Sequence, residues 1–147
     1  MFSQTAEYAL RACIALAQSP DLPLTTLEIA RRTRVPAGYL SKVLQMLARA
    51  RLIRAIRGLH GGYQLHRSAA LLKILDVINA VDPIRRIRTC PLDLPEHGAC
   101  LCPLHRRMDN ALAAVESALG ASTLAEILSE PAASIPLCPG PGRGELT

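Results

Sequence analysis

At 147 residues, half of them apolar, the chain is long enough for one domain with a real core and too short for two domains joined by a linker. With 3% aromatic residues and no Trp, that core must be built from Leu, Ile, Val and Ala, which favours a mainly α fold. The net charge of +5 is unevenly spread: residues 1–70 carry ten Lys or Arg against Glu7, Asp21 and Glu28, and residues 71–147 carry seven against nine acids. A basic first half suits a polyanion such as DNA.

No signal-peptide pattern opens the sequence, and no run approaches the ~18 apolar residues that a membrane span requires, so the expected location is the cytoplasm with no membrane partner. Five cysteines, an odd number, point in that compartment to metal or redox chemistry rather than to structural disulfides.

Residues 3–18 place Tyr8, Ala9, Ala12, Cys13, Leu16 and Ala17 on one face at helical spacing, with Ser3 as cap and Cys13 as a small buried hydrophobe. After Pro20 and Pro23, two helical patterns follow. Thr25 or Thr26 caps the first, with Glu28 near the capping-box position and Leu27, Ile29 and Ala30 on its apolar face. Val35 and Pro36 make the turn. The second helix, residues 37–50, buries Leu40, Val43, Leu44 and Leu47 and leaves Gly38, Tyr39, Ser41, Lys42 and Gln45 outward. Helix, tight turn, helix is the helix-turn-helix plan.

Leu52–Arg57 alternates as a strand, residues 58–62 form a glycine-rich turn, and Tyr63–His66 alternates again. A β-hairpin directly after a recognition helix is a wing. Arg54 and Arg57 on its flank and His60 at its tip suit phosphates, and Gly61 and Gly62 would let the backbone approach DNA. From the helix, Tyr39, Ser41, Lys42 and Gln45 would reach base edges or phosphates, although Tyr39 can equally pack on its own helix.

Residues 69–81 form a further amphipathic helix through Leu71, Leu72, Leu75, Ile78 and Val81, ended by Asp82 and Pro83. Arg85, Arg86 and Arg88 then lead into a proline-broken loop holding Cys90, Cys100, Cys102 and His105, with His97 read as solvated. Thiolates are soft ligands for iron–sulfur clusters or zinc, or they act as metal-free redox thiols. One residue between Cys100 and Cys102 suits a cluster better than a tetrahedral zinc, which favours two.

Beyond the loop, Leu104, Met108, Leu112, Val115 and Leu119 form a stripe over about 24 Å of helix, which either joins the intramolecular core or, since that core is already closed, pairs with a second copy, the reading preferred. Gly120 is expected to end it. Ser122 or Thr123 then caps a short last helix to Leu128, and residues 131–147, including Cys138, are too rich in Pro and Gly to pack.

The run from Gly38 to Arg67, above all Arg57-Gly58 followed by Gly61-Gly62-Tyr63-Gln64-Leu65, resembles the winged helix of the Rrf2 family of transcriptional regulators, over about residues 1–130. Arg51 stands where that family usually carries glycine. The resemblance implies an iron–sulfur cluster, two-iron or four-iron, held by Cys90, Cys100 and Cys102. In IscR-like members a histidine after the third cysteine completes the site, matched by His105. In NsrR-like members an acidic residue near the start of the other chain does so, matched here by Glu7 of the partner subunit.

The expected architecture is mainly α with a small β-hairpin. Residues 1–82 form a winged helix-turn-helix, 83–103 a cysteine-rich loop, 104–130 a dimerisation helix with a short terminal helix, and 131–147 a flexible tail. The expected function is a homodimeric repressor of a two-fold site on double-stranded DNA, sensing redox, nitric oxide or iron–sulfur status. The alternatives are a cluster-free thiol-based or partner-driven regulator and, from another class, an iron–sulfur carrier or redox protein. No phosphate-cradling glycine loop and no nucleophile–base pair supports an enzyme.

Overall fold

The computed structural model describes residues 2–97 and 100–137; Cys138 and the side chain of His97 lie outside the described residues. Helix α1 (Gln4–Ala17) starts at Ser3, whose hydroxyl accepts the Ala6 N–H. Its buried stripe is made largely of small residues, Ala6, Ala9, Ala12, Cys13 and Ala15, so neighbouring elements approach closely on several sides. α1 accordingly touches the next three helices, the last helix and the second strand. Cys13 is fully buried, and burial pushes its thiol up to about 12, which leaves it protonated at neutral pH.

α2 (Thr26–Thr33) opens with a complete capping box between Thr25 and Glu28. It buries Ile29, Ala30 and Thr33. Leu27, expected on that face, is 54% exposed, because two residues of helix rotate it about 200° from Ile29. Arg34 leaves the helix in the left-handed region, Val35 is buried, and Pro36 begins α3 (Ala37–Arg49). All four apolar residues expected to anchor α3, Leu40, Val43, Leu44 and Leu47, are fully buried.

The end of α3 explains the odd arginine. Arg51 N–H bonds to Ala48 O and Leu52 N–H to Leu47 O, a paired helix stop that requires Arg51 itself to turn left-handed. Arg51 has φ 57°, a conformation glycine adopts without strain. The departure from glycine thus keeps the turn and adds a small conformational cost.

The hairpin comprises β1 (Ile53–Ile56) and β2 (Gly62–Leu65), antiparallel, with Ile53 opposite Leu65 and Arg54 opposite Gln64. β1 is shorter than the alternation suggested, and β2 has the expected length but starts one residue earlier. A pairing without local sequence signal extends the sheet: Tyr63 and Leu24 exchange both backbone hydrogen bonds, at 2.8 and 3.0 Å, and so pin the wing to the segment before α2.

α4 (Ile74–Val81) begins five residues later than its apolar spacing indicated. The preceding stretch is held by a distant partner. Leu72 O accepts from Leu124 N–H at 2.9 Å, and Ile74 N–H donates to Ser122 O at 3.1 Å. In that irregular geometry Leu72 is fully buried and Leu71, expected in the core, is 71% exposed.

α5 (Pro103–Ala121) runs through Gly120, which lies against Leu75 of α4 instead of stopping the helix; Ser122 is the true cap. α6 (Leu124–Ser129) has the expected Thr123 cap, closed by Glu126, and its Leu124 is fully buried. The start of the tail differs from expectation. Gln18 Nε2 donates to Pro136 O at 2.8 Å, and Leu137 is half-buried against the core.

Candidate nucleic-acid interface and cysteine loop

The rigid packing of α3 on α1 and α2 sets the first half of the site. Ser41, Lys42 and Gln45 are exposed on adjacent turns of α3, and Ser41 turns its hydroxyl back to Ala37 O at 3.1 Å. Lys42 and Gln45 are long side chains on a helix whose opposite face is locked in the core. Tyr39 is less free: its ring meets Tyr8 edge-on at 5.5 Å, and its hydroxyl lies 2.5 Å from Thr5 Oγ1. It packs on α1, not on its own helix, and positions the first turn of α3.

Arg54, Arg57 and His60 are exposed on the hairpin, and Leu59 at the tip is 95% exposed. The wing glycines serve the fold itself. A side chain on Gly61 would run into the Ile56 carbonyl, and one on Gly62, at φ 152°, would come within 2.5 Å of Leu24 O. Gly61 and Gly62 are therefore needed for close approach of the chain to itself, whatever the wing touches.

The second half of the site is the loop between α4 and α5. Its entrance is clamped by Arg86, whose guanidinium forks onto Asp109 of α5 (Nε–Oδ1 2.7 Å, NH2–Oδ2 2.6 Å) and reaches Glu116 at 3.2 Å. Asp109 also accepts the Ile87 N–H at 2.9 Å. Hydrogen bonds from Arg86 hold the Asp109 carboxyl below its usual range, and the two acids in turn raise Arg86. The loop's exit is Cys102, the N-cap of α5, followed by Pro103 in the first turn. Both ends of the loop are thus fastened to one helix.

Within it, Cys90 is buried, Cys102 half-buried and Cys100 exposed. Cys102 Sγ lies 3.3 Å from His105 Nδ1, so these two are brought together as their spacing suggested. Among the described residues no three His, Cys, Asp or Glu side chains converge at metal-ligand spacing. Glu7 is exposed on α1 and paired with Arg11 at 3.0 Å. The donor chemistry, three thiols with an imidazole in one loop, fits a soft metal centre, and one chain alone does not draw the whole set together.

Of the clamp residues, Arg86 was read only as part of the arginine run leading into the loop, and Asp109 and Glu116 were not singled out in the sequence. The available signal was two acids seven apart on α5, hence on one face, downstream of an arginine run.

A recognition helix on a closed three-helix core, followed by a basic hairpin, defines a winged-helix DNA-binding regulator. The sequence pattern of the Rrf2 family, described as iron-dependent transcriptional regulators, matches residues 2–130, and the chain belongs to this family. It is similar to the HTH-type transcriptional regulator Rv1287 of Mycobacterium tuberculosis strain H37Rv, 34% identical over 130 residues, covering 85% of this chain and 79% of that protein. Its fold is similar to that of T. potens IscR (TM-score 0.73, 24% identity, covering 87% of this chain and 85% of that one). It is also similar to CymR, the global cysteine regulator of B. subtilis (TM-score 0.72, 24% identity, covering 86% and 95%). The protein is a transcriptional regulator, not an enzyme. Among the described residues no helix is long and apolar enough to cross a membrane.

Proposed function

We propose that this chain is a homodimeric, cytoplasmic repressor that reads a two-fold site on double-stranded DNA and is switched by the state of its cysteine loop. The observation that carries the reading is the loop's anchorage. Cys90, Cys100 and Cys102 sit in a segment fastened at one end by Arg86 to Asp109 and at the other by the α5 N-cap, with His105 in the first turn of α5 beside it. α5 itself has no buried residue, and Leu104, Met108 and Val115 are 63%, 49% and 37% exposed. A helix with so much uncovered apolar stripe calls for a second copy.

Bound in the loop, a two-iron or four-iron cluster would supply a centre reactive to oxidants and nitric oxide. Cys90, Cys100 and Cys102 would hold it, with Glu7 of the partner subunit or His105 as fourth ligand. The positive end of the α5 dipole at Cys102 favours negative charge held there. Strain in the loop would reach α5 through Arg86 and Cys102, and so alter the spacing of the two α3 helices on DNA. Arg54, Arg57 and His60 would contact phosphates, while Lys42 and Gln45, with Ser41, would contact bases.

A second reading is favoured by one contact. The Cys102 thiol beside the His105 imidazole is a pairing found in redox-reactive thiols, and it would serve a metal-free sensor of the same fold. Iron and acid-labile sulfide per chain, measured on protein purified without oxygen, separate the two. Near-stoichiometric iron and sulfide with visible charge-transfer bands is the expected result; colourless, iron-free protein after reconstitution would leave only the thiol sensor.

A further inference from the structure

On the side of the domain formed by α1, the end of α2 and the start of the tail, four arginines line one cavity of about 560 Å³: Arg11, Arg31, Arg32 and Arg34, with Gln18 and Leu137 at its edge. Its volume falls in the range of small-ligand sites. Among the described residues only Arg11 has an acid partner, Glu7; Arg32 NH1 donates to Ser19 Oγ at 2.8 Å, and Arg31 and Arg34 have no ion pair. Glu28 accepts from Thr25 N–H at 2.7 Å and from its hydroxyl at 2.9 Å, and its carboxylate also acts through space on Arg32 and Arg31, offsetting part of their charge and none of that on Arg34.

Arg31 and Arg32 in the last turn of α2 complement its carbonyl end, which accounts for two of the four. Arg34, the C-cap, and Arg11, which reaches Thr33 O from α1, stand at the same carbonyl end, but the roughly half charge of one helix terminus does not offset four guanidiniums. Arg11 is fixed in place by a 3.4 Å hydrogen bond to Thr33 O and by its position over the Tyr8 ring at 5.7 Å. Guanidiniums gathered around a concave space repel one another unless an anion lies between them, and their planar donors match tetrahedral oxyanions. We propose that this cavity is an anion site for a phosphate group, carried either by a free phosphorylated compound or by the DNA backbone. The site is separate from the cysteine loop, and the proposal does not rest on that loop binding a cluster.

Two exposed residues test it in the full chain, as the double variant Arg31→Gln, Arg34→Gln, with folding checked by circular dichroism. Calorimetry with inorganic phosphate should show binding to the parent protein that is at least about tenfold weaker in the variant. Mixed-sequence duplex DNA then identifies the source. If the group belongs to a free compound, DNA affinity and its salt dependence are the same in both proteins. If it belongs to the backbone, the variant binds DNA more weakly and its salt slope falls by about 1. Equal phosphate affinity in both proteins, or no phosphate binding together with unchanged DNA binding, overturns the proposal.

Discussion

The winged helix and the segment beyond it are stabilised in opposite ways. In the first, α1, α2 and α3 share a core of fully buried residues, helix ends are capped, and the hairpin is pinned to Leu24. In the second, the 19-residue α5 buries nothing fully, and its firmest attachment is the polar fork of Arg86 on Asp109 and Glu116. A region complete within one chain can hold a DNA-reading surface rigid. A region fastened mainly by charged hydrogen bonds and an unmet apolar stripe is free to respond to a ligand or a second copy.

The sharpest way to break this contrast is to hollow out the first region. Leu44→Ala, at a fully buried position, should cost about 2–5 kcal/mol of stability in urea denaturation, because the surrounding helices cannot collapse into the gap. Met108→Asp on α5 should do the reverse. It should leave the secondary structure of the chain intact while weakening self-association about 10–100-fold in sedimentation experiments. A stability loss at Met108 as large as that at Leu44 would show that α5 belongs to the intramolecular core.

On the DNA-reading surface, Arg57→Ala should lower affinity for all sequences and reduce the salt slope by about 1, whereas Gln45→Ala should change preference among sequences. Competition binding against mixed duplexes distinguishes the two.

The polar clamp gives the second region a pH signature. Asp109 titrates below its usual value in the folded chain, so it contributes stability above the unfolded carboxyl value, near pH 4, and that contribution is lost as pH falls through the lower folded value. Acid titration followed by proteolysis within residues 88–102 should show the loop loosening in that window, and Asp109→Asn should loosen it already at pH 7. The smallest expected effect is at the α3 stop. Arg51→Gly should raise stability by about 0.5–1 kcal/mol, since φ 57° suits glycine, and the shift in urea midpoint measures it.

Much of the first region was legible because its signals are local. Ser3 and Thr25 with Glu28 declare helix starts, and the spacing of Leu40, Val43, Leu44 and Leu47 declares the buried side of α3. What could not be read is non-local. The Tyr63–Leu24 exchange and the pairing of Leu72 with Leu124 join segments far apart in sequence, and the second displaced the start of α4 and turned Leu71 outward. Gly120 looked like a helix stop because glycine often is one; its neighbour Leu75 gives it a packing role instead. The cysteines announced the loop through their density, but the clamp at its base did not, since arginine and two distant acids form no recognisable motif.

If the loop controls DNA binding, oxidant exposure must change DNA affinity through its cysteines. Duplexes selected from a random pool would be used with the parent protein and with the variant carrying alanine at Cys90, Cys100 and Cys102. Affinity should change by at least about tenfold in the parent, equivalent to about 1.4 kcal/mol, and not at all in the variant. An equal response in both proteins would contradict control by the loop and move the switch out of it.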